Sequence, residues 1–153
     1  ILPPKQRRRA GMKDGDETPT ATGGCLCGAV RFALHGRLPP VGMCHCSLCR
    51  RASGAASNAV LNVRAERFEW LAGQDHWREF RTPSGWGSFF CPTCGSPTPH
   101  LLSNGERYLI PAGSLDADPG LEIAGHIFVG SKASWDVIGG EAPQFDKWPD
   151  GGA

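Results

Sequence analysis

Seven cysteines in three tight groups constrain this chain more than any other feature. Cys25 and Cys27 lie in GGCLCGAV, Cys44, Cys46 and Cys49 in MCHCSLCRR, and Cys91 and Cys94 in FFCPTCGS. An odd number of thiols cannot close completely into intramolecular disulfides, which argues against a disulfide scaffold. Close spacing with no isolated cysteine is the pattern of metal sites. In a reducing compartment it reads as zinc or redox chemistry. The cytoplasm is the expected location.

The remaining residues must fold around these groups. With 153 residues the chain is long enough for one domain. Its 21 glycines and 13 prolines are too many breakers for a helical bundle and suit short strands joined by turns. Runs at 29–35, 56–63, 68–71, 77–82, 86–90, 99–102, 107–112 and 125–129 read as strands. Val30, Phe32 and Leu34 alternate onto one apolar face. Only 47–55 reads as a helical turn. These patterns predict a mainly β sandwich or partly open barrel. It is expected to form a single domain over 23–148, with tails at 1–22 and 149–153.

The ends and the charge exclude several classes. No apolar run reaches the roughly 18–20 residues of a membrane span. The opening ILPPKQRRRAG lacks the apolar segment of a secretory signal. Residues 1–11 are expected to be an over-extended or foreign start, since Met12 opens a stretch that reads like a native beginning. The alternative is a basic tail that touches nucleic acid or a membrane. Lys5, Arg7, Arg8 and Arg9 place a charge of +4 there, whereas residues 21–153 carry 11 basic and 12 acidic side chains. The globular part therefore lacks the electrostatic footprint of a nucleic-acid binder. Neither nucleic acid nor a membrane is expected as a partner.

The cysteine spacings divide the metal chemistry. CPTCG is a C-x-x-C turn closed by a glycine that tolerates φ > 0, so both sulfurs can face one ion. A redox pair is the alternative, but SPTPHLL follows it where a thioredoxin-like site needs a helix. Cys25 and Cys27, as i and i+2 on a straight strand, would lie roughly 6.5–7 Å apart. Two sulfurs on one zinc are about 3.8 Å apart, so the backbone must curl there, and Gly23, Gly24 and Gly28 permit it. Cys25, Cys27, Cys91 and Cys94 then form a four-cysteine zinc site with no open position, a structural arrangement.

Cys44, Cys46 and Cys49 remain as C-x-C-x-x-C, a three-thiolate set whose fourth position is open, as in catalytic zinc sites. A closed site of three cysteines and one histidine stands beside this, with His35, His76, His100 or His126 as the donor. His45 is expected to point away. A different division, with Cys49 joining Cys91 and Cys94, is disfavoured by local clustering. Zinc with three thiolates is formally −1, which suits it poorly to activating water. It is better suited to holding a substrate thiol as a nucleophile at neutral pH. Arg50 and Arg51 could offset that charge or meet substrate carboxylates, or could be solvated surface residues.

GGCLCGAVRF, CHCSLCRRASGA, FFCPTCGSP and HIFVGSKASW, in this order and spacing over residues 23–148, resemble the glutathione-dependent formaldehyde-activating enzyme family. The family is also called Gfa-like or the centromere protein V family. The resemblance implies an Mss4-like fold of stacked antiparallel sheets with two zinc ions. In it Cys25, Cys27, Cys91 and Cys94 would be structural ligands, and Cys44, Cys46 and Cys49 catalytic-zinc ligands. It further implies a carbon–sulfur lyase that joins glutathione to formaldehyde. His126 and Asp136 are candidates for lining the pocket, and Lys132 for meeting a glutathione carboxylate. Phe128 and Trp135 read as core or pocket wall. A non-enzymatic, zinc-stabilised binding module of the same fold is the alternative function, and a redox or zinc-buffering protein a third.

Overall fold

A computed structural model describes residues 18–149. The expectation for residues 1–11 lies outside the described residues, as do residues 150–153 of the C-terminal tail.

The strands are short because glycine, proline or a cysteine turn interrupts almost every apolar run. In chain order they are β1 (Ala21–Gly24), β2 (Arg31–Leu34), β3 (Val41–Cys44), β4 (Asn58–Arg64), β5 (Phe68–Ala72), β6 (Arg78–Arg81), β7 (Gly87–Phe90), β8 (His100–Leu101), β9 (Arg107–Pro111), β10 (Ile123–Ile127) and β11 (Gln144–Phe145). One α-helix, α1 (Ser47–Ser53), follows β3. Every predicted strand is found, with ends moved by up to two residues. β1, β3 and β11 were not predicted. The sequences ATGG, VGMC and QF are too short or too rich in glycine to show an alternating pattern. Ala21 and Thr22, placed by the sequence in the N-terminal tail, pair with Leu34 and Ala33 of β2.

Two sheets stack to make the core. β1, β2 and β5 form the smaller one, and β11-β10-β3-β4-β9-β8 the larger. β6 and β7 form a separate hairpin. The smaller sheet is antiparallel. The larger is mixed, because β10 runs parallel to both β3 and β11. Phe32 and Leu34 from one sheet meet Leu61, Val63, Tyr108 and Ile110 from the other. Phe68 stacks on Tyr108 with ring centroids 3.9 Å apart, and Trp70 meets Phe68 edge-on. Each buried side chain of this size contributes roughly 1.5–3 kcal/mol. Val30, Phe32, Ala33 and Leu34 are all buried, so β2 is covered on both faces and not on one alone. Among the described residues no helix is long and apolar enough to cross a membrane.

Candidate metal centres

The loops at the ends of these strands bring the seven cysteines into two groups. Cys25, Cys27, Cys91 and Cys94 form one and Cys44, Cys46 and Cys49 the other, with all sulfurs of a group within 4.8 Å of one another. Cys49 joins Cys44 and Cys46, not Cys91 and Cys94.

Two turns build the four-cysteine group. After β1 the chain curls, with the Gly28 amide donating to the Cys25 carbonyl at 3.0 Å and Gly28 at φ +80°. After β7 the Gly95 amide donates to the Cys91 carbonyl at 2.8 Å, and Gly95 takes φ +75°. This is the left-handed position expected of the glycine in CPTCG. Ser96 links the turns by accepting from the Leu26 amide at 3.1 Å. It also lowers the Cys94 pKa to about 5 through its side chain and backbone. The Cys25 and Cys27 sulfurs are 3.5 Å apart, and those of Cys27 and Cys91 3.8 Å. The spacing of two sulfurs on one tetrahedral zinc is about 3.8 Å, so the donor set fits that ion in both type and geometry.

The trio is built by the passage from β3 into α1. Cys44 ends β3, Cys46 is the N-cap of α1, and Cys49 sits in its first turn. The Cys46 sulfur accepts from the Cys49 amide at 3.4 Å. The helix closes at Gly54, which takes φ +67°. Three sulfurs this close cannot all ionise unless a cation sits among them. Hydrogen bonding from Cys49 lowers the Cys44 pKa to about 6, while Cys44 and burial push Cys49 upward. Cys44 is therefore a readier thiolate than Cys49.

No histidine belongs to the trio among the described residues. His35 pairs with Glu69 at 3.0 Å and His76 with Thr93 at 2.9 Å. His100 stacks on Phe89. His45 turns away from the sulfurs, as expected. Its Nδ1 lies 2.8 Å from an Asp136 carboxylate oxygen and its Nε2 2.9 Å from Nδ1 of His126. All three side chains are largely buried. With the carboxylate accepting from Nδ1, a neutral His45 presents an acceptor Nε2 to His126. The outer Nε2 of His126 is buried without a partner. Burial, followed by the neighbouring His45, lowers the His126 pKa.

Sequence reasoning named His126 and Asp136 as pocket residues but missed this chain of hydrogen bonds. The partners are 81 and 91 residues from His45, and no spacing signals that. Other expectations change in detail. Arg50 donates to the Ser131 carbonyl at 3.2 Å and Lys132 to the Asp136 carbonyl at 2.8 Å. Both thus brace the loop that carries Asp136. Arg51 is exposed. Trp135 is 68% exposed and so is not core. Phe128 takes φ +57° and meets Trp148 edge-on.

The fold and its thiol groups define a mainly β domain with two candidate metal centres. The chain belongs to the glutathione-dependent formaldehyde-activating enzyme family, which matches residues 20–131. A solved structure of a Rhodobacter sphaeroides protein, determined as a structural-genomics target, is similar in fold. The two are 23% identical, with a TM-score of 0.51, and the match covers 67% of this chain and 98% of that one. No curated protein matches the chain.

Proposed function

We propose that this protein is a zinc-dependent carbon–sulfur lyase-type enzyme that adds glutathione to formaldehyde or a related small electrophile. Family membership supports glutathione and formaldehyde as the reactants. The observation that carries the reading is the trio itself. Three sulfurs converge with no fourth cysteine, histidine or carboxylate in the group among the described residues. Cys25, Cys27, Cys91 and Cys94 hold one zinc as a closed structural site, and Cys44, Cys46 and Cys49 hold a second.

Cys44, Cys46 and Cys49 would hold the zinc, which would supply a lowered pKa to a substrate thiol and so favour its thiolate at neutral pH. The chain's own residues do the rest. β3 and the first turn of α1 fix the three sulfurs. The Asp136–His45 bond and the His45–His126 bond hold the connection between Cys44 and Cys46 to the end of β10. In the reaction the thiolate pair attacks the carbonyl carbon and a C–S bond forms. The C=O π pair passes to oxygen, which takes up a proton. The thiol groups need a reducing setting, which supports a cytoplasmic site of action.

Exchange NMR of glutathione and formaldehyde with their adduct tests this reading. The wild type accelerates exchange and Cys46→Ser does not. Equal rates with both proteins would remove the trio from the reaction.

A further inference from the structure

A groove beside Cys44 takes no part in the metal centres. Cys44 and Asn58 are register partners in the antiparallel β3–β4 pair. Their side chains therefore stand together on one sheet face, with Cβ atoms about 4.5–5.5 Å apart. The β4–β9 and β8–β9 registers carry this face on through Val60, Pro111, Leu109 and His100. It is the face opposite Leu61, Val63, Tyr108 and Ile110, which point into the core. Ala52 and Ser53 form one wall, three and four residues beyond Cys49 and so on the same side of α1. Trp86 and Phe89 form the other. The space between them is about 60 Å³.

The groove is uncharged. No Asp, Glu, Lys or Arg lines it. Its one imidazole, His100, lies flat on Phe89 with centroids 4.1 Å apart. Burial and the nearby Arg81 lower its pKa to about 4, so it is neutral at pH 7. Thr98 lines the groove and is 2% exposed, and its hydroxyl has no hydrogen-bond partner. A buried hydroxyl in that state is costly, and a ligand oxygen or amide would relieve it.

We infer that this groove binds a short, uncharged aliphatic substituent carried by the electrophile, so that the substrate is an aldehyde larger than formaldehyde. Assigning the substituent to the aldehyde rests on the function proposed above. Glutathione bears two carboxylates and an ammonium, and each would lose hydration among lining residues that carry no charge; Arg81, near His100, lies outside the lining and is already paired with Glu79. The hydrocarbon of an aldehyde loses nothing there. The thiolate sulfur supplies the electron pair of the new C–S bond, and the carbonyl π pair moves to oxygen. That oxygen takes the proton that the thiol released. The product is a hemithioacetal, and nothing is oxidised or reduced.

The direct test is ligand-observed NMR with isovaleramide, an unreactive uncharged analogue, and with isovalerate, its charged counterpart. The zinc-loaded wild type should bind the amide in the millimolar range, ordinary for so few atoms, and bind the carboxylate at least tenfold more weakly. Ala52→Phe, a change at an exposed helix position, should abolish amide binding by filling the groove mouth. Thr98→Val should weaken it about three- to tenfold, the scale of one neutral hydrogen bond, without lowering stability. Equal binding of amide and carboxylate, no binding of the amide, or binding indifferent to Ala52→Phe would overturn the inference. Exchange NMR with isovaleraldehyde and formaldehyde separates the two readings. Amide binding without catalysed exchange of either aldehyde removes the proposed reaction but leaves the groove. Exchange of formaldehyde alone keeps the reaction and rejects the larger aldehyde.

Discussion

His45 Nδ1 and an Asp136 carboxylate oxygen lie 2.8 Å apart, although 91 residues separate them in the chain. The contact ties the loop after β10 to the residue between Cys44 and Cys46. It makes Asp136 a positioning residue for the trio. Asp136→Ala should cost about 1–3 kcal/mol, because it leaves a buried imidazole nitrogen unpaired. Asp136→Asn, which can still bond His45, should cost less. Urea unfolding of the zinc-loaded proteins checks the order, and coincident midpoints for all three would reject it.

The two sulfur groups should respond differently to loss of a ligand. Cys91 is buried and its sulfur closes a loop to Cys27 across 64 residues. Cys91→Ala should abolish cooperative folding, since binding energy at a structural zinc is folding energy. Cys46→Ser should remain folded and lose one zinc ion per chain. Metal content and near-ultraviolet circular dichroism of the purified variants measure both effects. A fully folded Cys91→Ala protein contradicts the structural role.

His100 should make the fold sensitive to mild acid. Its pKa is held at about 4 against an ordinary 6.5, so the unfolded chain takes up the proton first as pH falls. The stability this contributes is complete above pH 6.5 and is lost between 6.5 and 4. About 2 kcal/mol should be lost between pH 7 and 5. The lowered His126 acts in the same sense. His100→Phe keeps an aromatic ring on Phe89 and should lose less stability over this interval than wild type. Identical pH profiles from chemical denaturation would argue against this origin.

Gly23 should not accept a side chain. A Cβ there would stand 2.5 Å from the Phe32 ring and 2.5 Å from the Ser114 carbonyl oxygen. Gly23→Val should destabilise the domain by about 1–3 kcal/mol through overpacking and displace the neighbouring Cys25 turn. Thermal melting in the presence of zinc tests this, and an unchanged melting temperature contradicts it.

Much of this was legible in the residues. The CxxC turn, the curl at Cys25–Cys27 and the trio are local, so spacing and glycine placement were enough to divide the cysteines. The β-rich fold followed from short apolar runs such as 107–112. What escaped depends on tertiary pairing. β3 gives no alternating signal because it is four residues long with a glycine inside it, yet it carries Cys44. The parallel pairing of β10 with β3 brings His126 and Asp136 to His45. Only that pairing, and not composition, could reveal the network. Asn58 beside Cys44 is likewise a matter of strand register.

Sulfur counting by zinc X-ray absorption tests the central claim most directly. If the trio holds zinc with a position open to a substrate thiol, adding glutathione raises the mean number of sulfur ligands per zinc. S-methylglutathione leaves it unchanged. No rise with glutathione, or an all-sulfur shell on every zinc before it is added, would contradict an open thiol-binding site at Cys44, Cys46 and Cys49.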